Sequence, residues 1–332
     1  MPKELIFPAK NTFQLADCQD IPLAPNEIRG ATLCTLVSQG TELAWAAGDD
    51  FPIRPGYAAV FRVDEIGADV TGISTGDIRF CMGAHRSTQT YDPRFTLPVP
   101  DGMAPELAVI ARLMGVSMPT LMTTEARAGD KVIIAGAGPV GLLAAQNFRI
   151  AGYDVAVAEP DATRHAQATQ MGISRTFAAM PHDDPSYAKK VAIVVDCSGH
   201  EASILDACNI VRQGGEVVLV GVPWRAMTDI LAHEILNSVF FNFVHLRSGW
   251  EWRLPITGRG FVWEELLEGY NNVAHSIMDG FEKAFVWLDS GLIDISNLMT
   301  IRSPADPSAL YDEIRTRQIT TPFIALDWTK DD

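Results

Sequence analysis

The chain has 332 residues, 47% of them hydrophobic, and a formal net charge of −15 at pH 7. This length and hydrophobicity suffice for two buried cores, so we expect two domains and little disorder. The excess of acidic residues repels phosphate backbones and anionic lipids, which argues against nucleic-acid and membrane partners. We find neither a secretory leader nor an apolar run of about 18 residues. Five widely spaced cysteines favour reduced thiols and a cytoplasmic location.

The chain begins with short strands and changes to an alternating pattern. Residues 28–37 and 58–66 are rich in β-branched and small apolar residues, and Pro and Gly residues punctuate them. From residue 131 onward, apolar runs alternate with helical stretches, which indicates parallel βαβ units. The predicted strands are Lys131–Ala135, Asp154–Ala158, Ala192–Asp196 and Glu216–Val220, and the predicted helices are Leu142–Ile150, Thr163–Met171 and Ala202–Val211.

The last third is different again. Residues 249–272 are unusually aromatic, and a helix is predicted from Asn272 to Leu288. The tail, residues 297–328, is predicted as strand, helix, strand, and we expect it to rejoin the first third. The predicted domains are residues 1–110 with 295–332, and residues 111–294.

A glycine-rich loop directly follows the strand Lys131–Ala135. It has the form G-x-G-x-x-G and opens a helix, which is the context that a dinucleotide-binding loop requires. The first glycine permits a tight turn, the second lets a pyrophosphate approach the backbone, and the third allows close helix packing. The alternative is an ordinary glycine-rich turn. The predicted cofactor-binding residues here are Gly136, Gly138, Pro139, Val140 and Gly141.

Glu159 ends the next predicted strand, 18 residues after Gly141. A carboxylate there accepts bonds from the ribose hydroxyls of the adenosine and repels a 2′-phosphate, so we predict NAD rather than NADP. Arg164 follows five residues later. One interpretation is that Arg164 stacks on the adenine or bonds the ribose. The alternatives are that it attracts a phosphate, or that it is a solvated charge on the helix.

Two further loops end strands at the edge where a doubly wound sheet binds ligands. The first contains Cys197 and Ser198, and the second contains Gly221 and Val222. We predict that their backbones line the ribose and the nicotinamide; the alternative is plain loop structure.

On these residues the chain resembles the medium-chain dehydrogenase/reductase superfamily. The resemblance rests on residues 131–141, Glu159, residues 196–199 and residues 214–221, and it covers nearly the whole chain. Residues 38–42, 54–59 and 324–328 are similar to a zinc-independent branch that includes bacteriochlorophyllide a dehydrogenase. The resemblance implies an α/β fold, with a Rossmann doubly wound parallel sheet and a strand-rich GroES-like catalytic domain.

Many members of that superfamily hold a catalytic zinc through a Cys before Gly-Thr-Asp and a Gly-His-Glu further on. Here Gln39 precedes Gly40-Thr41-Glu42, and Tyr57 follows Gly56. Glutamine and tyrosine bind zinc poorly, so no metal is predicted.

Without zinc, side chains must handle the proton. The resemblance places Thr41, Glu42 and Tyr57 beside the nicotinamide, and His85 in a loop that closes over the cleft. Glu42 is either a base or a helix-capping or arginine-paired residue, and Tyr57 is either a hydrogen-bond donor to the substrate or a packed ring. His85 is either a proton relay or a surface histidine. Trp250 and Trp252 either wall a substrate pocket or are core or interface aromatics.

The predicted function is a zinc-independent, NAD-dependent oxidoreductase that interconverts a secondary alcohol and a ketone on a polyhydroxylated or ring-borne small molecule. The alternatives are an enone or quinone reductase and a non-catalytic NAD-binding redox sensor. The apolar run Phe240–Arg247 is predicted to form an exposed edge strand that pairs in a homodimer.

Overall fold

The computed structural model describes residues 1–252 and 276–330. It divides into two units. The terminal unit contains both ends of the chain, namely Met1–Arg112, Phe285–Gly291 and Ile295–Asp332. The central unit is Leu113–Ala284 with Leu292–Asp294.

The terminal unit begins with a strand-rich segment. A hairpin is followed by the longest strand of the unit, and a short helix then leads to further strands. The elements are β1 (Lys3–Ala9), β2 (Thr12–Asp17), β3 (Ile28–Leu36), α1 (Gln39–Ala46), β4 (Ala59–Ile66), β5 (Ile78–Cys81), β6 (Thr88–Tyr91), β7 (Thr96–Pro98) and α2 (Pro105–Ala108). The next helix, α3 (Ile110–Thr123), begins in this unit and continues from Leu113 in the central unit.

The central unit is built around a six-stranded sheet whose strand pairs are all parallel. Its inner strands are largely buried, as expected where helices cover a parallel sheet, whereas the strand at each edge is partly exposed. The strand order is β10-β9-β8-β11-β12-β13. The elements are β8 (Lys131–Ala135), α4 (Pro139–Ile150), β9 (Asp154–Ala158), α5 (Ala162–Gln170), β10 (Thr176–Phe177), β11 (Val191–Asp196), α6 (Glu201–Ile210), β12 (Val211–Leu219), α7 (Ala232–Phe241), β13 (His245–Ser248) and α8 (Ile277–Asp289).

The tail returns to the terminal unit as β14 (Met299–Arg302), α9 (Pro307–Arg315) and β15 (Phe323–Asp327). β15 pairs antiparallel with β3, with Ala325 opposite Leu36. The seven-stranded sheet has the order β14-β15-β3-β4-β5-β7, and β6 pairs with β3. The predicted α/β fold class is confirmed: a parallel doubly wound sheet and a strand-rich unit that the tail completes.

The sequence prediction for Phe240–Arg247 is wrong in its first half. Phe240 and Phe241 are the last residues of α7, and the edge strand begins only at His245. A turn separates the two elements, and Phe243 there has a φ of +54°. The error arose because a short apolar run does not distinguish the end of a helix from a buried strand.

Other differences concern the ends of elements. α4 begins at Pro139 rather than Leu142, since a proline is well suited to the first helical position. β12 begins at Val211, five residues before the predicted start. Residues 285–291 belong with the terminal unit, where Phe285 packs edge-to-face on Phe80 at a centroid distance of 5.6 Å.

Candidate functional site

The glycine-rich loop has the backbone geometry that its sequence requires. Gly136 has a φ of +91°, which only glycine adopts readily. A Cβ at Gly141 would lie 1.9 Å from the carbonyl oxygen of Gly136, so α4 packs closely on the turn. A Cβ at Gly138 would meet no atom within 4 Å, which leaves the N-terminus of α4 open to a ligand. Pro139 and Val140, both half-buried, form the first turn of α4.

Glu159 lies at the end of β9 and binds to this loop. Its carboxylate accepts hydrogen bonds from the backbone N–H groups of Ala137 at 2.8 Å and of Asp161 at 3.0 Å. Arg164 also donates to it, at 3.2 Å. Arg164 is therefore paired with Glu159 rather than being only a solvated helix charge. The contact between Glu159 and Ala137 was not predicted from the sequence.

The other two predicted loops lie beside the first. A Cβ at Gly136 would be 3.3 Å from Ser198, and one at Gly141 would be 3.4 Å from the Cβ of Cys197. A Cβ at Gly221 would lie 2.4 Å from the nitrogen of Gly199, so the two loops touch through their backbones. Val222 follows and is exposed. All of these loops lie at the carboxyl edge of the sheet, where doubly wound folds bind dinucleotides.

Asp196 holds the middle loop and was not predicted as a site residue. Its buried carboxylate accepts bonds from the Ser198 hydroxyl at 2.6 Å, the Ser203 hydroxyl at 3.1 Å and the Gly199 N–H at 2.9 Å. Burial raises the pKa of Asp196 above its ordinary value. Burial likewise raises the pKa of the Cys197 thiol, so this cysteine is held as an unreactive thiol rather than as a nucleophile.

Trp250 and Trp252 follow the edge strand β13. Trp250 is exposed and Trp252 is half-buried. Most of the predicted aromatic segment, residues 253–272, and the predicted helix start at Asn272 lie outside the described residues.

In the terminal unit, the predicted Glu42 and His85 are brought together, and both are fully buried. The Glu42 carboxylate accepts bonds from the backbone N–H of Ser38 at 2.8 Å and from the Tyr311 hydroxyl. His85 Nε2 lies 3.2 Å from the same carboxylate. His85 is thus a core residue rather than a surface histidine. The Glu42 carboxylate therefore has three hydrogen-bond partners and no contact with solvent.

A second hydroxyl orients the histidine from its other side. His85 Nδ1 lies 2.7 Å from the Thr35 hydroxyl, which also accepts from Trp328 Nε1 at 3.0 Å. If Trp328 donates to Thr35 and Thr35 donates to Nδ1, then Nε2–H is left to donate to Glu42. That arrangement gives both ring nitrogens of His85 and the Glu42 carboxylate a hydrogen-bond partner.

Tyr311 and Trp328 were not predicted as members of this cluster, because they lie at the far end of the chain. Burial, reinforced by the negative charge of Glu42, raises the pKa of Tyr311 well above its ordinary value. Tyr311 therefore stays protonated and donates to the carboxylate.

Tyr57 and Thr41 form a second, more accessible layer, since both are half-buried. The Tyr57 hydroxyl donates to Ser38 Oγ, and the nearby Thr41 side chain lowers the pKa of Tyr57. The guanidinium carbon of Arg112 lies 4.6 Å from the centroid of the Tyr57 ring. Burial raises the pKa of Tyr57, and the positive charge of Arg112 opposes that rise.

The two residues that the resemblance places at zinc-ligand positions, Gln39 and Tyr57, are hydrogen-bonded to other protein groups. The Gln39 amide donates to the carbonyl oxygen of Pro322 at 2.8 Å, and the Tyr57 hydroxyl is directed to Ser38. Within residues 1–252 and 276–330, no group of three or more His, Cys, Asp or Glu side chains is arranged to hold a metal ion. The same ranges contain no helix with the length and hydropathy needed to cross a bilayer.

Comparisons with known proteins find similar sequences for part of the chain. Residues 139–249 match a family model described as zinc-binding dehydrogenase. L-threonine 3-dehydrogenase of Bacillus velezensis is 25% identical over 215 residues, which are 62% of this chain and 54% of that protein. The chain spans about half the length of the curated relatives it matches.

Solved structures share the fold along nearly the whole chain. Galactitol-1-phosphate dehydrogenase from Escherichia coli has a TM-score of 0.80 at 16% identity and covers 98% of this chain and 99% of its own. Acetophenone reductase from Geotrichum candidum in complex with NAD has a TM-score of 0.78 at 14% identity, with coverage of 98% and 97%. The family match therefore covers about a third of the chain, and the solved structures show that the whole chain shares their fold.

Proposed function

We propose that the protein is a zinc-independent, NAD-dependent oxidoreductase that interconverts a secondary alcohol and a ketone. The observation that carries this proposal is the terminal unit's Tyr57, a half-buried tyrosine surrounded by hydroxyl groups at a position where metal-dependent relatives hold zinc. Gln39, at the other zinc position, is engaged by a backbone carbonyl.

The cofactor proposal rests on the loop at the N-terminus of α4. The open space at Gly138 suits a pyrophosphate, and the helix N-terminus offers unpaired N–H groups to it. Glu159 presents a carboxylate beside the same loop, which favours the ribose hydroxyls of NAD over a 2′-phosphate. A bound nicotinamide dinucleotide supplies or accepts the hydride.

Tyr57 is the proposed proton donor to the substrate oxygen. Because burial raises its pKa, the phenol is protonated at neutral pH and donates to an alkoxide that forms during ketone reduction. Thr41, whose side chain lowers the pKa of Tyr57, is proposed to orient the phenol. Glu42 and His85, which face no solvent, are proposed to hold this arrangement rather than to meet the substrate.

Trp250 is proposed to contribute apolar area to substrate binding, since it is exposed just beyond the carboxyl end of β13. Half-buried Trp252 is proposed to support it. Small-molecule sites combine such apolar walls with a few polar groups. A polyhydroxylated or ring-borne substrate fits this combination.

We also propose a homodimer. Among the described strands, β13 is the edge of the central sheet, and Phe240, Phe241 and Phe243 beside it are 65–73% exposed. Exposed edges and apolar surfaces tend to be paired, most often about a two-fold axis. A monomeric mass in light scattering at micromolar concentration would contradict this.

Five free thiols suit a reducing compartment, so a cytoplasmic location is proposed.

The decisive experiment is a turnover assay with NADH, a panel of ketones and a panel of quinones, together with a zinc determination. We expect Tyr57→Phe to reduce ketones ~10²–10⁴-fold more slowly than the wild type, with unchanged affinity for NADH. Tyr91→Phe is the matched control, because Tyr91 donates to the carbonyl oxygen of Met82 in the same unit.

Three outcomes would overturn the proposal. Stoichiometric zinc whose removal abolishes turnover would show metal catalysis. Turnover of quinones alone would indicate a quinone reductase. NADH binding without turnover of any substrate would indicate a sensor.

A further inference from the structure

The hydroxyl of Ser38 is bound in an unusual way for a serine at this position. Ser38 is the N-cap residue of α1, where a serine side chain ordinarily accepts a bond from the backbone N–H two or three residues on. Its side chain makes no such bond. Instead Ser38 Oγ accepts from the Tyr57 hydroxyl, and Ser38 is only 8% exposed.

Glu42 makes this possible. Its carboxylate accepts the backbone N–H of Ser38 at 2.8 Å, and the backbone N–H of Glu42 donates to the carbonyl oxygen of Ser38 at 2.9 Å. The turn at Ser38 is therefore fixed through backbone groups. Tyr311 and His85 hold the carboxylate in place from its other side. Fixing the turn in this way leaves the Ser38 hydroxyl available to Tyr57.

Tyr57 needs a partner when the reaction runs toward the ketone. Alcohol oxidation requires that the substrate O–H lose its proton, and a phenolate would accept it. Burial and the nearby charge of Glu42 make the phenolate scarce, although Arg112 opposes them. A phenol that is still protonated accepts a proton only if it releases its own at the same time.

We infer that Ser38 is a relay residue through which Tyr57 exchanges its proton during alcohol oxidation. The inference rests on the proposed function. The substrate proton moves to Tyr57 Oη, the phenolic proton moves to Ser38 Oγ, and the Ser38 hydroxyl proton leaves to solvent water. The hydride goes to NAD⁺, so the products are the ketone, NADH and one proton. The Tyr57 and Ser38 hydroxyls are already hydrogen-bonded to each other, as the second transfer requires.

The Thr41 hydroxyl is the competing route, since its side chain also interacts with the Tyr57 hydroxyl and lowers the pKa of Tyr57. Thr41 is half-buried, whereas Ser38 is buried. Ser38 is favoured because its Oγ is directly hydrogen-bonded to the Tyr57 hydroxyl and because Glu42 fixes its backbone. Ser38 acts through Tyr57, so it is a positioning and relay residue rather than one that meets the substrate.

The test compares Ser38→Ala, Ser38→Thr and Thr41→Val in the oxidation of the best alcohol, from about pH 6 to about pH 10. Ser38→Ala should lower kcat about tenfold near neutral pH, while the KM for the alcohol and NADH affinity stay near wild type. Its kcat should rise more steeply with pH, because only the phenolate form of Tyr57 remains able to accept the proton. Ser38→Thr should restore most of the rate.

Ser308→Ala is the matched control, because Ser308 donates to the carbonyl oxygen of Phe13 within the same unit. Ser38→Ala leaves the bond between the Ser38 N–H and Glu42 intact, so it should fold normally, with an unchanged circular dichroism spectrum.

The inference is overturned if Ser38→Ala keeps the wild-type kcat and pH profile, or if Thr41→Val alone reproduces the steep profile. A lack of alcohol oxidation in the wild type would instead contradict the proposed function.

Discussion

Replacing Tyr311 by phenylalanine isolates one hydrogen bond in the buried cluster of the terminal unit. The ring packs against Phe13 at a centroid distance of 4.5 Å and against Phe7 at 5.1 Å, and phenylalanine keeps both contacts. What is lost is the hydroxyl that donates to Glu42. The carboxylate keeps its bonds from Ser38 and His85, but it remains buried with one donor fewer.

The expected cost follows from the charge on the acceptor. A hydrogen bond to a charged group contributes about 1.5–3 kcal/mol, against about 0.5–1.5 kcal/mol for a neutral one. We expect Tyr311→Phe to lower the free energy of unfolding by about 1.5–3 kcal/mol, which lowers Tm by roughly 2–4 °C per kcal/mol. Tyr91→Phe, which loses a bond to a neutral carbonyl, should cost less than half as much.

Urea unfolding followed by circular dichroism measures both variants, and thermal melts check their order. The pH dependence gives an independent readout. The pKa of Tyr311 is raised well above its ordinary value, so its contribution to stability is complete below about pH 10 and is lost as pH rises further. The stability of Tyr311→Phe should therefore not show the part of the alkaline decrease that comes from ionisation of Tyr311. The reasoning is refuted if Tyr311→Phe and Tyr91→Phe destabilise the protein equally. It is also refuted if Tyr311→Phe loses stability at alkaline pH in the same way as the wild type.

Three further predictions concern the cofactor loop and the phenol. Glu159→Gln should narrow the preference for NADH over NADPH, by about tenfold in the ratio of dissociation constants measured by titration, whereas exposed Asp206→Asn should not. Gly138→Ala should weaken NADH binding without lowering Tm, while Gly141→Ala should destabilise the unit by at least about 1–3 kcal/mol in the same melts. Because the pKa of Tyr57 is raised above that of an ordinary phenol, the kcat for ketone reduction should stay flat beyond about pH 10; a fall centred at or below that pH would contradict the role of Tyr57.

The parts of the molecule that sequence predicts are those set by neighbouring residues. The loop Gly136–Gly141 lies between a strand and a helix that are continuous with it, so its turn, its open middle glycine and its close packing are local properties. Glu159 ends the following strand for the same reason. The strand boundaries were less accurate where an apolar run such as Phe240–Arg247 crosses from helix to strand.

The buried cluster could be predicted only in part, because its partners are distant in sequence. Tyr311 is 269 residues from Glu42, and Trp328 is 293 residues from Thr35. Nothing in the local pattern around Glu42 shows whether its carboxylate will face solvent or a phenol. Its role as a base was inferred from position in the chain, whereas its contact with Tyr311 depends on the packing of α9, at the far end of the chain, against α1.

The pairing of β15 with β3 has a consequence for biosynthesis. Leu36 and Ala325 are opposite each other although about 290 residues separate them. At ~5–20 residues per second, the ribosome needs on the order of 15–60 s to make the intervening chain. The central unit is fully synthesised within that interval, but β3 still lacks its neighbour β15, and Glu42 still lacks Tyr311. During synthesis the N-terminal segment therefore exposes the unpaired edge of β3 and an incompletely hydrogen-bonded Glu42 carboxylate. Such exposed edges favour chaperone binding and aggregation.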